Sequence, residues 1–278
     1  EHPEVDVISL PTNTGFAHAA NVGLRAARCR MVALINTDVV LDPDWLARVT
    51  GALTADCSAA SVACKMLELA DRSRVYDAGD VLRRDAVCEQ RGRFGPDDGQ
   101  WDEPGEVFGA CAGAALYRRD VLVDVGGFDE RYFAYLEDVD LALRLRLAGW
   151  RCRYEPAVAL HAGQGSSNQL PGGHLYLVER NTLLLVAKAF PARWLPLVLY
   201  RQLGWAWHAF LERRLVWQLR GALAALPLLP AALRERGAFR RGAVVSIERA
   251  VPGRPIRGAP VPAAQRRRGR RLRIRMRR

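Results

Sequence analysis

The sequence of 278 residues predicts an α/β fold with a largely parallel sheet, followed by a helical C-terminal region. Short apolar runs at residues 5–10 and 31–35 alternate with segments of helical periodicity, and this order favours right-handed crossovers between parallel strands. Hydrophobic residues make up 50% of the chain, so a substantial core can form. From residue 183 onward the apolar runs lengthen and tryptophan becomes frequent, which predicts the helical region.

The first two helices have recognisable start signals. Asn13 or Thr14 can cap a helix that begins near Ala17, after the first apolar run. Asp42 and Pro43 are typical of an N-cap and a first helical position. The buried stripe of this second helix is expected to contain Trp45, Leu46, Val49 and Leu53.

The middle of the chain has weaker patterns. Residues 62–67 predict another strand, whereas residues 70–106 are rich in charge and glycine and predict a loop and hairpin region. Residues 109–117 predict a strand of small residues. Gly113 in this strand allows either the close approach of a ligand or tight packing under a helix.

Residues 139–147 combine two patterns. Apolar side chains occupy every second position, which is the strand period, but leucine, alanine and arginine favour a helix. Leu141 and Leu145 lie on one helical face. We therefore predict a helix that stops at Gly149.

Three carboxylates, Glu137, Asp138 and Asp140, lie at the start of this predicted helix. Acids interact favourably with a helix N-terminus, so the cluster can be an ordinary solvated helix start. Two apolar runs favour a functional site instead, because one is followed by Asp38 and the other ends in His161. Ligands of open α/β sheets bind beyond the carboxyl ends of strands. Both residues are therefore candidate metal ligands.

The net charge of +11 is concentrated in the C-terminal tail, where residues 265–278 contain nine arginines and no acid, leaving about +2 elsewhere. The tail can bind anionic lipid or nucleic acid nonspecifically. The rest of the chain has no basic patch interleaved with aromatic residues, so specific nucleic-acid binding is not expected.

The six cysteines are scattered without a C-x-x-C pair, which disfavours a zinc site or a disulfide framework and favours a reducing cytoplasm.

Six motifs occur in a characteristic order. They are Asn13-Thr14-Gly15-Phe16 through Asn21-Val22-Gly23, then Asn36-Thr37-Asp38, Gly126-Gly127-Phe128-Asp129-Glu130, Glu137-Asp138-Val139-Asp140, His161 followed by Ser166 and Ser167, and Arg180-Asn181. This order resembles the family 2 glycosyltransferases, particularly the bacterial branch that adds rhamnose or galactofuranose to cell-surface glycans. The resemblance covers roughly the first two thirds of the chain. It implies a GT-A-type nucleotide-sugar transferase fold, Rossmann-like with a mixed, mainly parallel sheet.

The resemblance also implies that the family's first strands, which hold the nucleotide base and ribose, have no counterpart in this sequence. The chain is therefore expected to be an N-terminally truncated enzyme that binds its donor poorly as numbered.

The implied reaction is an inverting sugar transfer in which a divalent ion, Mg²⁺ or Mn²⁺, spans the donor diphosphate. By resemblance, Asp38 and His161 ligate the ion, and Asn21, Asn36, Asp38 and Arg180 bind the donor. Asn36 stands where many members carry the first acid of an Asp-x-Asp pair, so one negative charge is lost. His161 can alternatively be a core or loop histidine, and Arg180 a helix-surface arginine.

The attacking hydroxyl of the acceptor needs a proton acceptor. Asp138 is the predicted general base, and Glu137 is expected to orient it or to bind the acceptor. Asp140 is expected to leave this face of the helix. Neighbouring acids can raise one another's pKa, which suits a base that holds a proton transiently.

The expected organisation is a catalytic domain at residues 1–172, a helical membrane-associating region at 173–250, and a Pro/Gly linker with the Arg-rich tail at 251–278. The sequence contains no uninterrupted run of about 18 apolar residues, so a membrane-spanning helix is not predicted. Helices in the membrane interface fit the Trp and Arg content better, and a helical subdomain or dimer interface is the alternative.

The expected partners are a nucleotide-sugar donor, for which the family branch suggests rhamnose, a lipid-linked or polysaccharide acceptor, and the inner face of the cell membrane, where the protein would associate from the cytoplasm. The alternatives are a catalytically inactive remnant, or binding to nucleic acid or an anionic surface through the tail.

Overall fold

The structure is a computed structural model that describes residues 5–163, 172 and 174–252. Its centre is a seven-stranded sheet with the order β1-β8-β3-β9-β2, to which β4 adds beside β3 and β7 beside β9. A hairpin of β5 and β6 forms a separate small sheet. The strands are β1 (Met31–Ile35), β2 (Val39–Leu41), β3 (Ala59–Glu68), β4 (Asp71–Asp77), β5 (Asp80–Leu82), β6 (Cys88–Gln90), β7 (Gly105–Val107), β8 (Ala114–Arg118) and β9 (Arg151–His161).

Helices cover both faces of the sheet and form the C-terminal region. They are α1 (Phe16–Ala26), α2 (Trp45–Ala55), α3 (Arg119–Asp124), α4 (Glu137–Leu147), α5 (Leu175–Ala189), α6 (Leu195–Leu211), α7 (Leu215–Ala225), α8 (Leu229–Arg241) and α9 (Ile247–Ala250). The two predicted N-terminal helices are confirmed, but their N-caps are Gly15 and Asp44. Asn13 instead accepts a hydrogen bond from Gly15 N at 3.0 Å.

The strand directions correct one expectation. The mixed α/β sheet is confirmed, but the expectation that most neighbouring strands are parallel is wrong. Only β3 and β9 pair in parallel within the described residues, and the remaining pairs are antiparallel. β1 and β3 do run in the same direction, as a crossover through α2 requires. The later strand β8 lies between them and is antiparallel to both.

The strand expected at residues 5–10 is also absent. This segment has no strand pairing in the described part of the chain, and Val5, Val7 and Ile8 are exposed. An apolar run becomes a strand only where a neighbour supplies hydrogen-bonding partners for its backbone. The apolar pattern alone did not show whether such a neighbour was present.

α2 packs on one face of the sheet through the fully buried Trp45, Val49 and Leu53. These residues are three of the four predicted for its stripe. The fourth, Leu46, is 57% exposed and lies off the buried face. α1 and α4 pack on the opposite face, where Leu24 and Leu141 join the core.

α4 is buried on two sides, and this explains the conflicting pattern at residues 139–147. Leu141 and Leu145 face the core between the helix and the sheet. Val139, Leu143 and Leu147 face a second core that α4 shares with α5 and the later helices. Two helical stripes, each with a spacing of four residues, together give alternation along the sequence. The predicted helix is therefore confirmed, and Gly149 follows its end with φ of 94°.

In the described part of the C-terminal region, one stretch is a candidate membrane span. Within the described residues, Leu215–Gly237 is long and apolar enough to cross a membrane by length and composition alone, and 22% of its apolar 18-residue stretch is buried. This differs from the sequence-based expectation, which required an uninterrupted apolar run, whereas the stretch contains Arg220. The linker beyond residue 252 and the Arg-rich tail lie outside the described residues.

Candidate functional site

The first part of the site is formed by Asp38 and His161. Asp38 lies in the turn between β1 and β2, and β2 then pairs antiparallel with β9, so that Val39 is opposite His161. The Ala162 amide donates to the Asp38 carbonyl at 2.9 Å, which closes the turn against β9. As a result His161 Nε2 lies 3.7 Å from Asp38 Oδ1. The structure therefore brings together the two predicted metal ligands.

The chemistry of this pair fits a divalent ion. Asp38 Oδ2 is buried and has no hydrogen-bond partner among the described residues. Burial lowers the pKa of His161, which favours the neutral imidazole that metals bind. His161 Nδ1 accepts from Gly163 N at 2.8 Å, so Nε2 carries the proton and faces Asp38. Binding of a metal ion to Nε2 therefore requires that Nε2 lose its proton and that the Gly163 amide turn away from Nδ1.

The pair does not form a complete coordination shell. No group of three or more His, Cys, Asp or Glu side chains within residues 5–163, 172 and 174–252 is arranged to hold a metal ion. A catalytic ion commonly takes its remaining ligands from substrate phosphates and water. Asp38 and His161 can therefore hold an ion only together with such ligands.

Asn36 lies beside the pair. Its backbone N–H donates to the Gly113 carbonyl at 2.9 Å, which joins the end of β1 to the segment before β8. A side-chain carbon added at Gly113 would lie 3.5 Å from Asn36 Nδ2 and 3.8 Å from His161 Cδ2. Gly113 thus lines the site and does not pack under a helix.

Asp138 is next to the same segment. Its Oδ2 accepts from Ala112 N at 3.2 Å, and its Oδ1 accepts from Val139 N at 2.8 Å. Burial raises the pKa of Asp138, and these two hydrogen bonds oppose the shift. Because Ala112 precedes Gly113, residues 112–113 connect the carboxylate of Asp138 to the Asp38–His161 pair.

The other two acids of the cluster have different surroundings. Glu137 is buried, and its Oε2 has no partner among the residues described. Burial, followed by the charge of Asp138, raises the pKa of Glu137. Asp140 is fully buried on another side of α4, where it pairs with Lys188 and Arg144. Asp140 therefore leaves this face of the helix, in line with the prediction.

Sequence reasoning missed two further acids. Asp77 ends β4 and Asp80 begins β5, and both are buried. Burial raises the pKa of Asp77 to about 7, although Arg93 opposes the shift, and Asp138 adds to it. Burial, followed by Asp77 and Asp138, raises the pKa of Asp80 well above its usual value. Asp80 Oδ2 has no partner in the described part of the chain. Four carboxylates therefore share one site.

An aromatic and a cationic side chain complete the surroundings. The Tyr76 ring stacks on His161 with centroids 3.9 Å apart and planes at 10°. The Arg93 guanidinium lies 3.8 Å above the Tyr76 ring. Arg93 also acts on the pKa of Asp77, Asp80 and His161, so its charge lies close to both halves of the site. The sequence signal for these site residues is a short segment in which Tyr76 occurs together with acids. This segment lies within residues 70–106, for which only a loop and hairpin region was predicted.

Two predicted donor-binding residues make contacts within the protein. Asn21 Nδ2 donates to Phe128 O, and Asn21 Oδ1 accepts from Phe128 N, both at 2.8 Å. Arg180 Nη1 donates to Tyr132 O at 3.3 Å and to Asn181 Oδ1 at 2.8 Å. Their assignment to donor binding stays a prediction.

Comparison with known sequences identifies the class. Residues 1–195 match the family described as "Glycosyltransferase like family 2". Because the match covers more than half of the chain, the protein belongs to this family of glycosyltransferases, and the GT-A fold class expected from the motifs is confirmed. The match includes α1, the whole sheet and α5, and it ends at the start of α6.

The chain is also similar to curated members of the family. It is 40% identical over 121 residues to N-acetylglucosaminyl-diphospho-decaprenol L-rhamnosyltransferase of Mycobacterium tuberculosis, covering 43% of this chain and 33% of that protein. It is 34% identical over 159 residues to pre-mycofactocin glycosyltransferase of the same organism, covering 56% and 31%. It is 55% identical over 53 residues to rhamnosyltransferase WbbL of Escherichia coli, covering 18% and 20%. The matched region thus spans about a third or less of the length of these relatives.

Two solved structures show distant similarity. GalNAc-T7 with UDP, GalNAc and Mn²⁺ aligns with a TM-score of 0.49 at 12% identity, covering 64% of this chain and 35% of that one. Mannosyltransferase PcManGT of Pyrobaculum calidifontis, in complex with GDP-Man and Mn²⁺, aligns with a TM-score of 0.41 at 18% identity, covering 93% and 59%.

The raised pKa of Asp77 predicts a pH-dependent stability. Between about pH 4 and pH 7 the folded protein keeps a proton on Asp77 that the unfolded chain has already released. The stabilisation from this proton is present at low pH and is lost as pH rises through about 7. Asp77→Asn stays uncharged. Between pH 5 and pH 8 its free energy of unfolding should fall less than that of the wild type, by about 1–3 kcal/mol. Urea unfolding at both pH values measures the difference.

The matched control is Asp71→Asn, also on β4, where Asp71 is exposed and its pKa is lowered by hydrogen bonds from Ser73. This control should keep the wild-type pH dependence. Equal pH dependence of Asp77→Asn and the wild type would contradict the assignment.

Proposed function

We propose that this chain carries the catalytic site of an inverting, metal-dependent glycosyltransferase. The enzyme moves a sugar from a nucleotide-sugar donor to a lipid-linked or cell-surface glycan. One observation carries the proposal, namely that Ala112 and Gly113 connect the Asp138 carboxylate to the Asp38–His161 pair. A proton acceptor and a candidate cation site therefore lie in one place, on a chain that belongs to the family.

The donor end of the site is the Asp38–His161 pair. A divalent ion bound there would supply Lewis-acid stabilisation of the leaving diphosphate. Asp38 Oδ2, which has no partner among the residues described, and the neutral His161 are ligands of the required kind. Asn36 contributes no charge, so we expect weaker metal affinity than an acid at this position would give. Arg93 lies near enough to add positive charge toward the same phosphates.

The acceptor end of the site is the carboxylate cluster. Asp138 is half-buried, so a bound hydroxyl can reach it, and its raised pKa brings its proton affinity closer to that of a base working near neutral pH. Asp138 takes the proton of the attacking hydroxyl as the bond to the sugar forms. Glu137, whose buried Oε2 has no partner among the described residues, is the neighbouring acid that orients Asp138.

Rhamnose is the proposed sugar. Two relatives are named as rhamnosyltransferases, and the name of one specifies a decaprenol diphosphate-linked acceptor. A nucleoside diphosphate rhamnose donor and a lipid-diphosphate-linked acceptor would be consistent with a site that pairs a cation with carboxylates.

The C-terminal helices provide a surface for such an acceptor. Large apolar side chains are exposed on α6, including Leu203, Trp207 and Phe210, and on α7, including Leu219 and Leu223. On each helix these side chains are spaced three or four residues apart and so share a face, and an exposed apolar face marks an interaction site. Tryptophan and neighbouring arginines are typical of helices at the membrane interface. We propose that this face, the α6–α7 face, contacts an anionic membrane surface on the cytoplasmic side.

Replacement of the proposed base tests the function. In the full-length enzyme, Asp138→Asn should lower kcat by about 10²-fold or more with little change in donor KM, because the amide cannot accept the proton. Transfer from nucleoside diphosphate rhamnose to a lipid-diphosphate-linked acceptor is the assay. Asp44→Asn, an exposed acid at the start of α2, is the control and should keep wild-type kinetics. Near-normal turnover of Asp138→Asn would reject the assignment.

Vesicle flotation tests the α6–α7 face. Trp207→Ser with Phe210→Ser should release the protein from vesicles that contain anionic lipid, because both exposed side chains would otherwise lie at headgroup depth. Leu46→Ser with Val123→Ser removes equally exposed apolar side chains elsewhere and should leave flotation unchanged. Equal flotation of both double variants would refute membrane contact. Concentration-dependent dimerisation that the first pair alone abolishes would assign the face to a second copy instead.

A further inference from the structure

The loop before α4 has an uncommon backbone. Phe133, Tyr135 and Leu136 have φ of 62°, 70° and 64°, in the left-handed region that such residues seldom adopt. Phe133 combines this φ with ψ of −66°, and Ala134 N donates to Tyr132 O at 2.7 Å. These values define a γ-turn of the rare, strained type. Strain of this kind persists only where the surroundings enforce it. We term the four residues from Phe133 to Leu136 the pre-helix loop.

Asn181 on α5 contacts this loop directly. Its Nδ2 donates to the carbonyl oxygens of Tyr132, Ala134 and Tyr135 at 2.9, 2.8 and 2.6 Å. The side chain is fully buried. Three carbonyls therefore converge on the two hydrogens of one amide group. The contact holds the carbonyls in the arrangement that the positive φ values produce.

Arg180 supports the same contact. Its Nη1 donates to Asn181 Oδ1 at 2.8 Å, which orients the amide so that Nδ2 faces the loop. The guanidinium also donates to the carbonyls of Arg131 and Tyr132. The Arg180-Asn181 pair of the sequence motif thus acts as one hydrogen-bonding unit on the backbone ahead of α4.

The opposite side of the pre-helix loop is held by α1. Ala17 N donates to Phe133 O at 3.1 Å. A side-chain carbon at Gly15 would lie 2.5 Å from both Phe133 Cδ2 and Phe133 O, so only glycine leaves room for this ring. The loop is therefore fixed between the N-terminus of α1 and one face of α5.

The loop determines where α4 begins. Leu136 is the N-cap of α4, and its carbonyl accepts from Asp140 N at 2.9 Å. We propose that Asn181, oriented by Arg180, is a positioning residue that sets the Asp138 carboxylate for proton transfer. The proposal rests on the proposed function, in which Asp138 is the base. It gives Arg180 a role in holding the loop, where the family resemblance had implied contact with the donor.

A double-mutant cycle separates positioning from general stabilisation. Asn181→Ala should lower kcat by about 10-fold or more and change donor KM by less than about 2-fold, because the base moves while the donor site does not. In the Asp138→Asn background the same change should lower the residual kcat by less than about 2-fold, because no base remains to be positioned. Thr182→Val removes a buried hydroxyl whose one hydrogen bond within the described part of the chain goes to Val178 O of its own helix, and it should leave kcat within about 2-fold of wild type.

The outcomes distinguish the two claims. Near-normal turnover of Asp138→Asn would overturn the base assignment and with it the proposed function. Loss of turnover in Asp138→Asn, together with an equal further loss from Asn181→Ala in both backgrounds, would overturn only the positioning role. If Asn181→Ala does not fold, Arg180→Met provides the same cycle with the amide retained. Hydrogen exchange gives a second readout, since amides of residues 134–140 should exchange faster in the variant, and unchanged exchange would also overturn the proposal.

Discussion

The burial of α4 between two cores is the constraint on which the rest of the site depends. Its inner stripe packs on the sheet, and its outer stripe packs on the C-terminal helices. Between them lies Asp140, which is fully buried and only 2.7 Å from Lys188 of α5. A buried charge without its partner is strongly unfavourable, so this ion pair fixes α5 against the first turn of α4. The same turn carries Glu137 and Asp138, which therefore have little freedom to move away from the sheet edge.

The electrostatics of the site follow from this arrangement. The carboxylates of Asp77, Asp80 and Glu137 are buried, that of Asp138 is half-buried, and burial raises the pKa of each of them. Their mutual repulsion opposes ionisation of all four at once. A divalent cation or Arg93 reduces this repulsion and so favours the ionised carboxylates. Binding of the donor with its ion should therefore change the number of protons that the cluster holds. Such linkage suits a reaction in which a diphosphate leaves at one end of the site and a hydroxyl loses its proton at the other.

The sequence predicted the parts of this site that depend on local patterns. The apolar runs ending at Asp38 and His161 did lead to one sheet edge, because β1 and β9 run in the same direction. The acids at the start of α4 were visible because helix formers outweighed the alternating pattern. That alternation is itself explained by burial on two sides, which no single periodicity describes.

Other features depend on contacts between distant residues and could not be predicted. The insertion of β8 between β1 and β3 makes neighbouring strands antiparallel where parallel pairing was expected, since a later segment occupies the position beside β1. Asp80 is held near the site by a bridge to Gly109, a contact between residues that are distant in the sequence. The strain in the pre-helix loop is likewise enforced by α1 and α5, and no residue type in Phe133-Ala134-Tyr135-Leu136 indicates positive φ.

The central claim is that Asp38 and His161 hold the donor's ion in the same site as Asp138. Anomalous diffraction from crystals of the full-length protein grown with nucleoside diphosphate and Mn²⁺ tests it most directly. The account predicts an anomalous peak within about 2.0–2.6 Å of both an Asp38 oxygen and a His161 nitrogen, with diphosphate oxygens completing the shell and the Asp138 carboxylate open to the same cavity. An ordered diphosphate with Mn²⁺ bound away from this pair, or with Asp138 facing a different cavity, would contradict it.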